Sequence, residues 1–351
     1  MVAQNLRDIA RAMVADGKGL LAMDESNPTC NKRFTPLGIP QTEPFRRAYR
    51  ELIVTTPRLG MSISGAILFD ESIRQKTRSG KSFVEVLAEA GIIPGIKVDA
   101  GAKELLGFPG EKVTEGLDGL PARVQEYVGM GARFAKWRAV IAIGADIPSE
   151  ACIDGNAHAL ARYAAICQQA GLVPIVEPEV VMDGSHDLQR CMEVSGRVLH
   201  AVFDQLHVQH VLLEGMILKP NMILPGTDCP HQDDVEQVAE ATVRCLLRSV
   251  PAAVAGIAFL SGGQSGELAC ARLNAMNVRF ASKMPWPLTF SFARAIQHPA
   301  LDIWSGHESE VNAAQGALIH RAECSRAARR GKYSSEMERL SAPVALVAAG
   351  T

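Results

Sequence analysis

The sequence has no excess of charge and few aromatic side chains. Its 351 residues include 36 Lys and Arg against 38 Asp and Glu, which gives a formal net charge of −2, and 5% are aromatic. A balanced charge gives no general electrostatic attraction to nucleic acid or to an anionic membrane surface. We therefore expect neither nucleic acid nor a membrane as a partner, and any anion-binding site must be local.

Long apolar runs and a secretory leader are also missing. No apolar run approaches the roughly 20 residues that a bilayer-spanning helix needs. Residues 1–19 mix acidic residues into an amphipathic helical pattern and contain no long apolar segment of the kind found in signal peptides. The sequence predicts a cytoplasmic protein.

Metal-finger and nucleotide-binding patterns are absent as well. The eight cysteines are scattered without CxxC pairs, which is typical of reduced packing thiols. His207 and His210 stand at helical spacing, but no carboxylate motif accompanies them. The chain has no Walker A motif and no GxGxxG after its first apolar run. We expect no metal and no cofactor.

Eight short apolar runs alternate with stretches of helical periodicity, and this alternation is what the sequence does contain. The runs are 19–24, 62–69, 92–99, 132–138, 172–179, 211–219, 254–263 and 287–293. Eight strands alternating with helices favour parallel pairing and closure into a (β/α)₈ TIM barrel of the α/β class, as a single domain. An open doubly wound sheet is the alternative.

Domain boundaries and two helices are also predicted. Residues 1–305 should form the barrel with an N-terminal helix, and 306–351 a C-terminal helical extension whose last dozen residues are mobile. The helical stretches 156–171 and 234–250 are the clearest, and Asp233 and Asp234 favour a helix start at the second.

Charged or anion-binding groups follow the strands. Seven of the eight runs, all except 62–69, end in or lead into such groups. These are, in order, Asp24; Lys97 and Asp99; Lys136 and Arg138; Glu177 and Glu179; Lys219; Ser261, Gly262 and Gly263; Ser291 and Arg294. Residues two apart on a strand share a face, and a TIM barrel carries its reacting groups at the carboxyl ends of its strands. A single such charge is usually structural, but the set predicts one active site.

Lys219 ends the segment HVLLEGMILKPNM at 210–222. Apolar neighbours and a second cation, Lys136, would both disfavour its protonated form, and a neutral lysine is a nucleophile that forms Schiff bases with carbonyls. An ion pair of Lys219 with Glu177 or Glu179 is an equally good interpretation of the spacing.

A phosphate site is predicted after the seventh and eighth strands. The glycines of Ser261-Gly262-Gly263 let backbone N–H groups approach an anion, and Arg294 can bind phosphate oxygens. This is where barrels commonly hold phosphate, although a glycine pair alone is more often a turn.

Seven motifs together resemble class I fructose-1,6-bisphosphate aldolases, in the form found in plastid and bacterial members. They are GLLAMDESNPTCNKRF, GIKVDAG, ARFAKWR, PIVEPEV, LEGMILKPNM, FLSGGQS and LTFSFARA, in order from about residue 5 to about residue 300. The resemblance implies reversible, metal-independent cleavage of fructose 1,6-bisphosphate to dihydroxyacetone phosphate and glyceraldehyde 3-phosphate, in glycolysis, gluconeogenesis or a Calvin-type cycle. It also implies a homotetramer.

The resemblance further implies roles for single residues. Lys219 matches the Schiff-base lysine, Glu177 the general acid and base, Glu179 the neighbour that tunes it, and Asp24 the group that handles the substrate's hydroxyl proton. Lys136 and Arg138 match a pair that assists the chemistry and holds substrate oxygens. Ser261, Gly262 and Arg294 match one phosphate site, and Lys97, Lys32 and Arg33 the other end of the substrate.

The sequence departs from the family pattern at two points, and two rival functions stay open. Animal members end in a tyrosine that reaches the site, whereas this chain ends AAGT, and Ala293 replaces a glycine near the phosphate. One rival is a Schiff-base aldolase for fructose 1-phosphate or sedoheptulose 1,7-bisphosphate. The other is a non-catalytic scaffold that binds a filament or polyanion through the same cations.

Overall fold

Eight parallel strands close into a barrel in the computed structural model of the chain, which describes residues 2–15 and 17–339. Around the barrel the strands follow the order β1-β10-β9-β8-β7-β6-β3-β2. Their bounds are β1 Gly19–Ala22, β2 Ile63–Leu68, β3 Ile93–Lys97, β6 Phe134–Ile141, β7 Val173–Val180, β8 Ile217–Leu218, β9 Gly256–Phe259 and β10 Leu288–Phe292. The predicted (β/α)₈ barrel is confirmed, and the open sheet is excluded.

Helices follow the strands and cover the barrel. They are α1 Val2–Met13, α2 Asn27–Phe34, α3 Glu43–Val54, α4 Asp70–Arg74, α5 Phe83–Glu89, α6 Leu120–Gly129, α7 Glu150–Gln169, α8 Leu188–Val208, α9 Val235–Ser249, α10 Gly266–Arg279, α11 Arg294–Trp304, α12 Val311–Arg329 and α13 Glu336–Arg339. Within the described ranges, none of them is long and apolar enough to cross a membrane.

Successive residues of a barrel strand point alternately into the barrel interior and out toward the helices, so the buried residues form an interior cluster and an outer core. Phe134 of β6 packs in a buried cluster with Leu20, Ile175 and Ile217 from other strands. Trp137 belongs instead to the outer core and stacks on Tyr163 of α7 with ring centroids 5.5 Å apart. Inward-pointing residues are therefore apolar at the amino ends of the strands, whereas charged residues occupy the inward face at the carboxyl ends.

Helix α1 closes the amino end of the barrel. Leu6, Ala10 and Met13 of this helix pack in the same interior cluster as the inward residues of the strands. Because the barrel is filled at this end, substrate access is possible only at the carboxyl end.

Two features differ from the sequence-based expectation. The sixth run, 211–219, contains only two strand residues, because the chain forms a 3₁₀ turn at Leu213–Gly215 whose backbone is bound by the Gln168 amide. An antiparallel hairpin of β4 Gly101–Glu104 and β5 Lys112–Glu115 was not predicted. These short strands are too polar to give the apolar runs that identify the barrel strands.

Helix starts follow their capping residues. Asp234 caps α9 by accepting a hydrogen bond from Gln237 N, as the predicted acidic start requires. Helix α7 begins six residues earlier than predicted because Ser149 caps it. Helices α12 and α13 lie in the predicted C-terminal extension, whose division from the barrel at residue 305 stays a prediction. The predicted mobile tail lies outside the described residues.

Candidate active site

The carboxyl ends of the strands open into a cleft of about 1200 Å³. Every residue to which the family resemblance assigned a role lines it, whereas Gly263 does not. The residues with such a role are Asp24, Lys32, Arg33, Lys97, Lys136, Arg138, Glu177, Glu179, Lys219, Ser261, Gly262 and Arg294. The cleft is large enough for a six-carbon sugar with two phosphates, since typical ligand pockets are about 300–1,000 Å³.

Lys219 lies at the bottom of the cleft beside Glu177. It directly follows β8, and its backbone N–H donates to Val176 O at 2.8 Å, which fixes the lysine against β7. The Nζ atom of Lys219 is 2.9 Å from Oε1 of Glu177, and both side chains are almost fully buried. The ion pair that the sequence left open is therefore present, between a buried amine and a carboxylate that can take its proton.

Lys136 joins this pair to Asp24. Its Nζ atom is 3.1 Å from Oε2 of Glu177, outside hydrogen-bonding geometry, and 2.8 Å from Oδ2 of Asp24. The half-buried carboxylate of Asp24 and the buried carboxylate of Glu177 thus alternate with two buried amines. The Glu177 carboxylate lies between Lys219 and Lys136 and offsets the like-charge repulsion expected from the sequence.

Burial and the charges of neighbouring groups shift the pKa values of this cluster in opposite directions. Burial by itself would raise the pKa of Asp24, but Lys136 and Lys219 outweigh it and lower the pKa from 3.8 to about 2. The same balance lowers the pKa of Glu177. Burial would lower the pKa of Lys136, but Asp24 and Glu177 raise it overall. At neutral pH both carboxylates are charged and able to accept protons.

Two more ion pairs line the wall of the cleft. The Arg138 guanidinium donates to Glu179, which shares the inward face of β7 with Glu177. Lys97 pairs with Asp99 at 2.5 Å, and a second oxygen of Asp99 accepts from the backbone N–H of Arg138 at 3.3 Å. Asp99 therefore holds the segment that follows β3 against the middle of β6.

One rim of the cleft has the features of an anion site. Gly262 and Gly263 have φ values of 57° and 91°, which side-chain-bearing residues rarely adopt, so this turn requires glycine. A Cβ at Gly263 would lie 3.3 Å from Nη2 of Arg294, so the turn and this guanidinium face the same space. Arg294 is also the first residue of α11, whose amino end favours anions.

The Ala293 departure is accommodated by the backbone. Ala293 precedes α11 with φ of −105°, a value that needs no glycine. Its methyl group packs against the interior cluster.

A second part of the cleft rim is formed by α2, which follows β1. Arg33 pairs with Glu25 at 2.5 Å, while Lys32 on the same helix is exposed and makes no ion pair among the described residues. Sequence reasoning overlooked Glu25, although it directly follows Asp24. A strand pattern places consecutive residues on opposite faces, and it could not foresee that the chain leaves β1 at this point and turns into α2.

A (β/α)₈ barrel that carries a buried lysine and charged carboxylates at its mouth, between two cationic rims, defines a lyase for phosphorylated carbonyl compounds. Residues 5–349 match the family model described as Fructose-bisphosphate aldolase class-I. The chain belongs to the class I fructose-bisphosphate aldolase family, and its activity is that of a class I fructose-bisphosphate aldolase.

Named relatives agree with the family assignment. The chain is 56% identical to the "Probable fructose-bisphosphate aldolase class 1" of Xanthomonas campestris over 334 residues, 95% of this chain and 99% of the relative. It is 52% identical to "Fructose-bisphosphate aldolase 4, cytosolic" of Arabidopsis thaliana over 322 residues, 92% and 82% of the two chains.

A solved structure agrees with the fold. It is fructose-bisphosphate aldolase from Plasmodium falciparum in complex with TRAP and a small-molecule inhibitor. That structure superposes with a TM-score of 0.93 at 46% identity and covers 95% of this chain and 96% of the other.

Proposed function

We propose that Lys219 is the nucleophile that forms the Schiff base with the ketone of fructose 1,6-bisphosphate. The observation that supports this most directly is its burial at the bottom of the cleft, 2.9 Å from the Glu177 carboxylate. An ammonium group must lose a proton before it can attack a carbonyl carbon, and Glu177 is placed to receive that proton.

Glu177 then returns the proton. Attack of the neutral amine on the ketone gives a carbinolamine, and loss of its hydroxyl as water requires an acid at the same position. The protonated Glu177 donates this proton. The positive charge of Lys136, 3.1 Å away, favours the ionised carboxylate of Glu177 and so favours the transfer. Glu179 on β7 accepts a hydrogen bond from Arg138 on β6, and this contact holds the carboxyl end of β7, next to Glu177, against β6.

Asp24 serves the carbon–carbon cleavage. It takes the proton of the C4 hydroxyl as the C3–C4 bond breaks, the bonding electrons pass to the iminium, and glyceraldehyde 3-phosphate leaves. Its pKa of about 2 keeps it ionised for this task at neutral pH. Protonation of the enamine at C3 and hydrolysis of the iminium then release dihydroxyacetone phosphate.

The two cationic rims orient the substrate. Ser261, Gly262 and Arg294 bind one phosphate, while Lys32, Arg33 and Lys97 bind the other end, with Arg138 near the hydroxyl groups between them. Fixing both ends of the substrate places its ketone at Lys219 and offsets the entropy lost on reaction.

The test of this proposal is a cleavage assay with fructose 1,6-bisphosphate in the presence of EDTA. We expect full activity of the wild-type enzyme and no detectable turnover of Lys219→Ala. A variant that keeps substantial turnover, or a wild-type enzyme that EDTA inactivates, would overturn the Schiff-base role of Lys219.

We also propose a cytoplasmic homotetramer. No disulfide joins the eight cysteines, all of which lie in the described part of the chain, as expected in a reducing compartment. The Arabidopsis relative is named cytosolic. The tetramer rests on the family alone, and sedimentation equilibrium at micromolar concentration would test it.

A further inference from the structure

Three potential metal ligands lie together on the outside of the barrel, away from the aldol chemistry. His320 and Cys324 are one turn apart on the same face of α12, and Glu338 of α13 lies against them. Their ligand atoms all lie within 4.8 Å of one another. None of the three lines the active-site cleft.

The distances between these atoms are close to those around a zinc ion. Nε2 of His320 is 3.7 Å from Sγ of Cys324 and 3.9 Å from Oε2 of Glu338. A tetrahedral ion with bonds of about 2.0–2.3 Å needs ligand atoms roughly 3.3–3.6 Å apart. The remaining pair, Sγ of Cys324 and a carboxylate oxygen of Glu338, lies within 4.8 Å, so closing all three distances to tetrahedral spacing needs side-chain shifts of up to about 1 Å.

Neighbouring groups hold the carboxylate in place. Tyr333 donates to Oε1 of Glu338 at 2.8 Å, and the Arg321 guanidinium donates to Oε2. Ligating carboxylates in metal sites are oriented by such hydrogen bonds, and each carboxylate oxygen has a second lone pair for an ion. Cys324 is fully buried, whereas the His320 and Glu338 side chains are 19% and 13% exposed, so an ion can enter.

We propose that His320, Cys324 and Glu338 form a binding site for one divalent cation of the zinc type, with water as the fourth ligand. Thiolate and imidazole together favour zinc over magnesium or calcium, which prefer all-oxygen sites. Three protein ligands and an open position are compatible with tetrahedral zinc. This site is independent of the proposed role of Lys219.

Binding requires the cysteine to lose its proton. A free cysteine thiol is protonated at neutral pH, so the metal-free Cys324 carries its proton. The cation replaces that proton, and the proton passes to the buffer, so binding releases about one proton.

A cation bound at this site would link α13 to α12, because its ligands come from both helices. Arg321, which holds Glu338, also donates to the carbonyl of Ala295 at 3.3 Å, next to Arg294 at the start of α11. Two hydrogen bonds of Arg321 therefore connect the site to Ala295, the chain neighbour of a predicted phosphate-binding residue.

The experiment is titration of the metal-free full chain with Zn²⁺ by calorimetry and with Co²⁺ by absorption spectroscopy, both without substrate. We expect one ion per chain, release of about one proton, and a thiolate-to-cobalt charge-transfer band. Glu338→Gln should weaken Zn²⁺ binding at least about tenfold, and Cys324→Ala should abolish the cobalt band.

Matched controls distinguish this site from others. Glu336→Gln on the same helix and Cys245→Ala in another buried position should bind like the wild type. Glu338 is on the short α13 rather than in the core, so its variant should fold even if Cys324→Ala does not. No binding, binding without the thiolate band, or equal affinity in Glu338→Gln would each overturn the proposal.

Discussion

At the scale of single residues, the site depends on charges that compensate one another where water is excluded. Lys219, Glu177, Lys136 and Asp24 form a continuous chain of ion pairs with contacts of 2.8 to 3.1 Å. An unpaired charge at this depth would be costly, so each member stabilises the ionised form of the next. The same arrangement supplies a proton acceptor beside the nucleophile.

The first prediction concerns Glu177. Glu177→Gln keeps the shape of the side chain but cannot take the proton of Lys219, so kcat should fall by about 10²- to 10⁴-fold. Steady-state cleavage kinetics would measure this. Glu193→Gln, an exposed position on α8, is the matched control and should retain wild-type kinetics. A kcat for Glu177→Gln within a few-fold of the wild-type value would contradict the proton transfer.

The sequence predicted which residues line the site but not how they pair. Strand alternation correctly placed Lys136 with Arg138 and Glu177 with Glu179 on shared inward faces. It could not show that Lys136 pairs with Glu177 while Arg138 pairs with Glu179, because pairing depends on the register of β6 against β7. The resemblance to the family, not the spacing, distinguished Glu177 from Glu179.

At the scale of elements, glycines in β2 and β3 make room for one aromatic ring inside the barrel. A Cβ at Gly95 would collide with the ring of Phe134, and one at Gly65 would lie 3.0 Å from the same ring. Phe134 fills the interior below Lys136, so these glycines support the bottom of the cleft.

The second prediction compares two Gly→Ala substitutions. Gly95→Ala overpacks the interior and should destabilise the fold by about 1–3 kcal/mol or more. Gly155→Ala on α7 meets nothing closer than 3.9 Å and should stabilise its helix by about 0.5–1 kcal/mol. Thermal unfolding of both variants would test this, and a Gly95→Ala protein as stable as the wild type would show that the ring can move aside.

The third prediction concerns α2 and the choice of substrate. Arg33→Ala removes a guanidinium from one rim of the cleft and should raise KM for fructose 1,6-bisphosphate about tenfold. KM for fructose 1-phosphate should not change, because that substrate lacks the second phosphate. Arg47→Ala on α3, which also removes a guanidinium paired with a glutamate, is the control. Equal effects on both substrates would favour the monophosphate rival.

At the scale of the whole molecule, the barrel was predictable because its strands are apolar and their number fixes closure. Each of the eight runs overlaps one barrel strand, although in the run 211–219 only Ile217–Leu218 is a strand. The hairpin of β4 and β5 was not predictable, since its residues are polar and its position is set by contacts such as Thr114 with the carbonyl of Arg138 at 2.7 Å. Long-range contacts of this kind leave no periodic signal in a sequence.

We expect Lys219 to become covalently bound to the substrate during turnover. The most direct measurement is borohydride reduction in the presence of dihydroxyacetone phosphate and EDTA, followed by peptide mass mapping. We expect one reduced adduct, on the peptide that contains Lys219, and none in Lys219→Ala. Bound ligand without an adduct, or an adduct on another lysine such as Lys136, would contradict it.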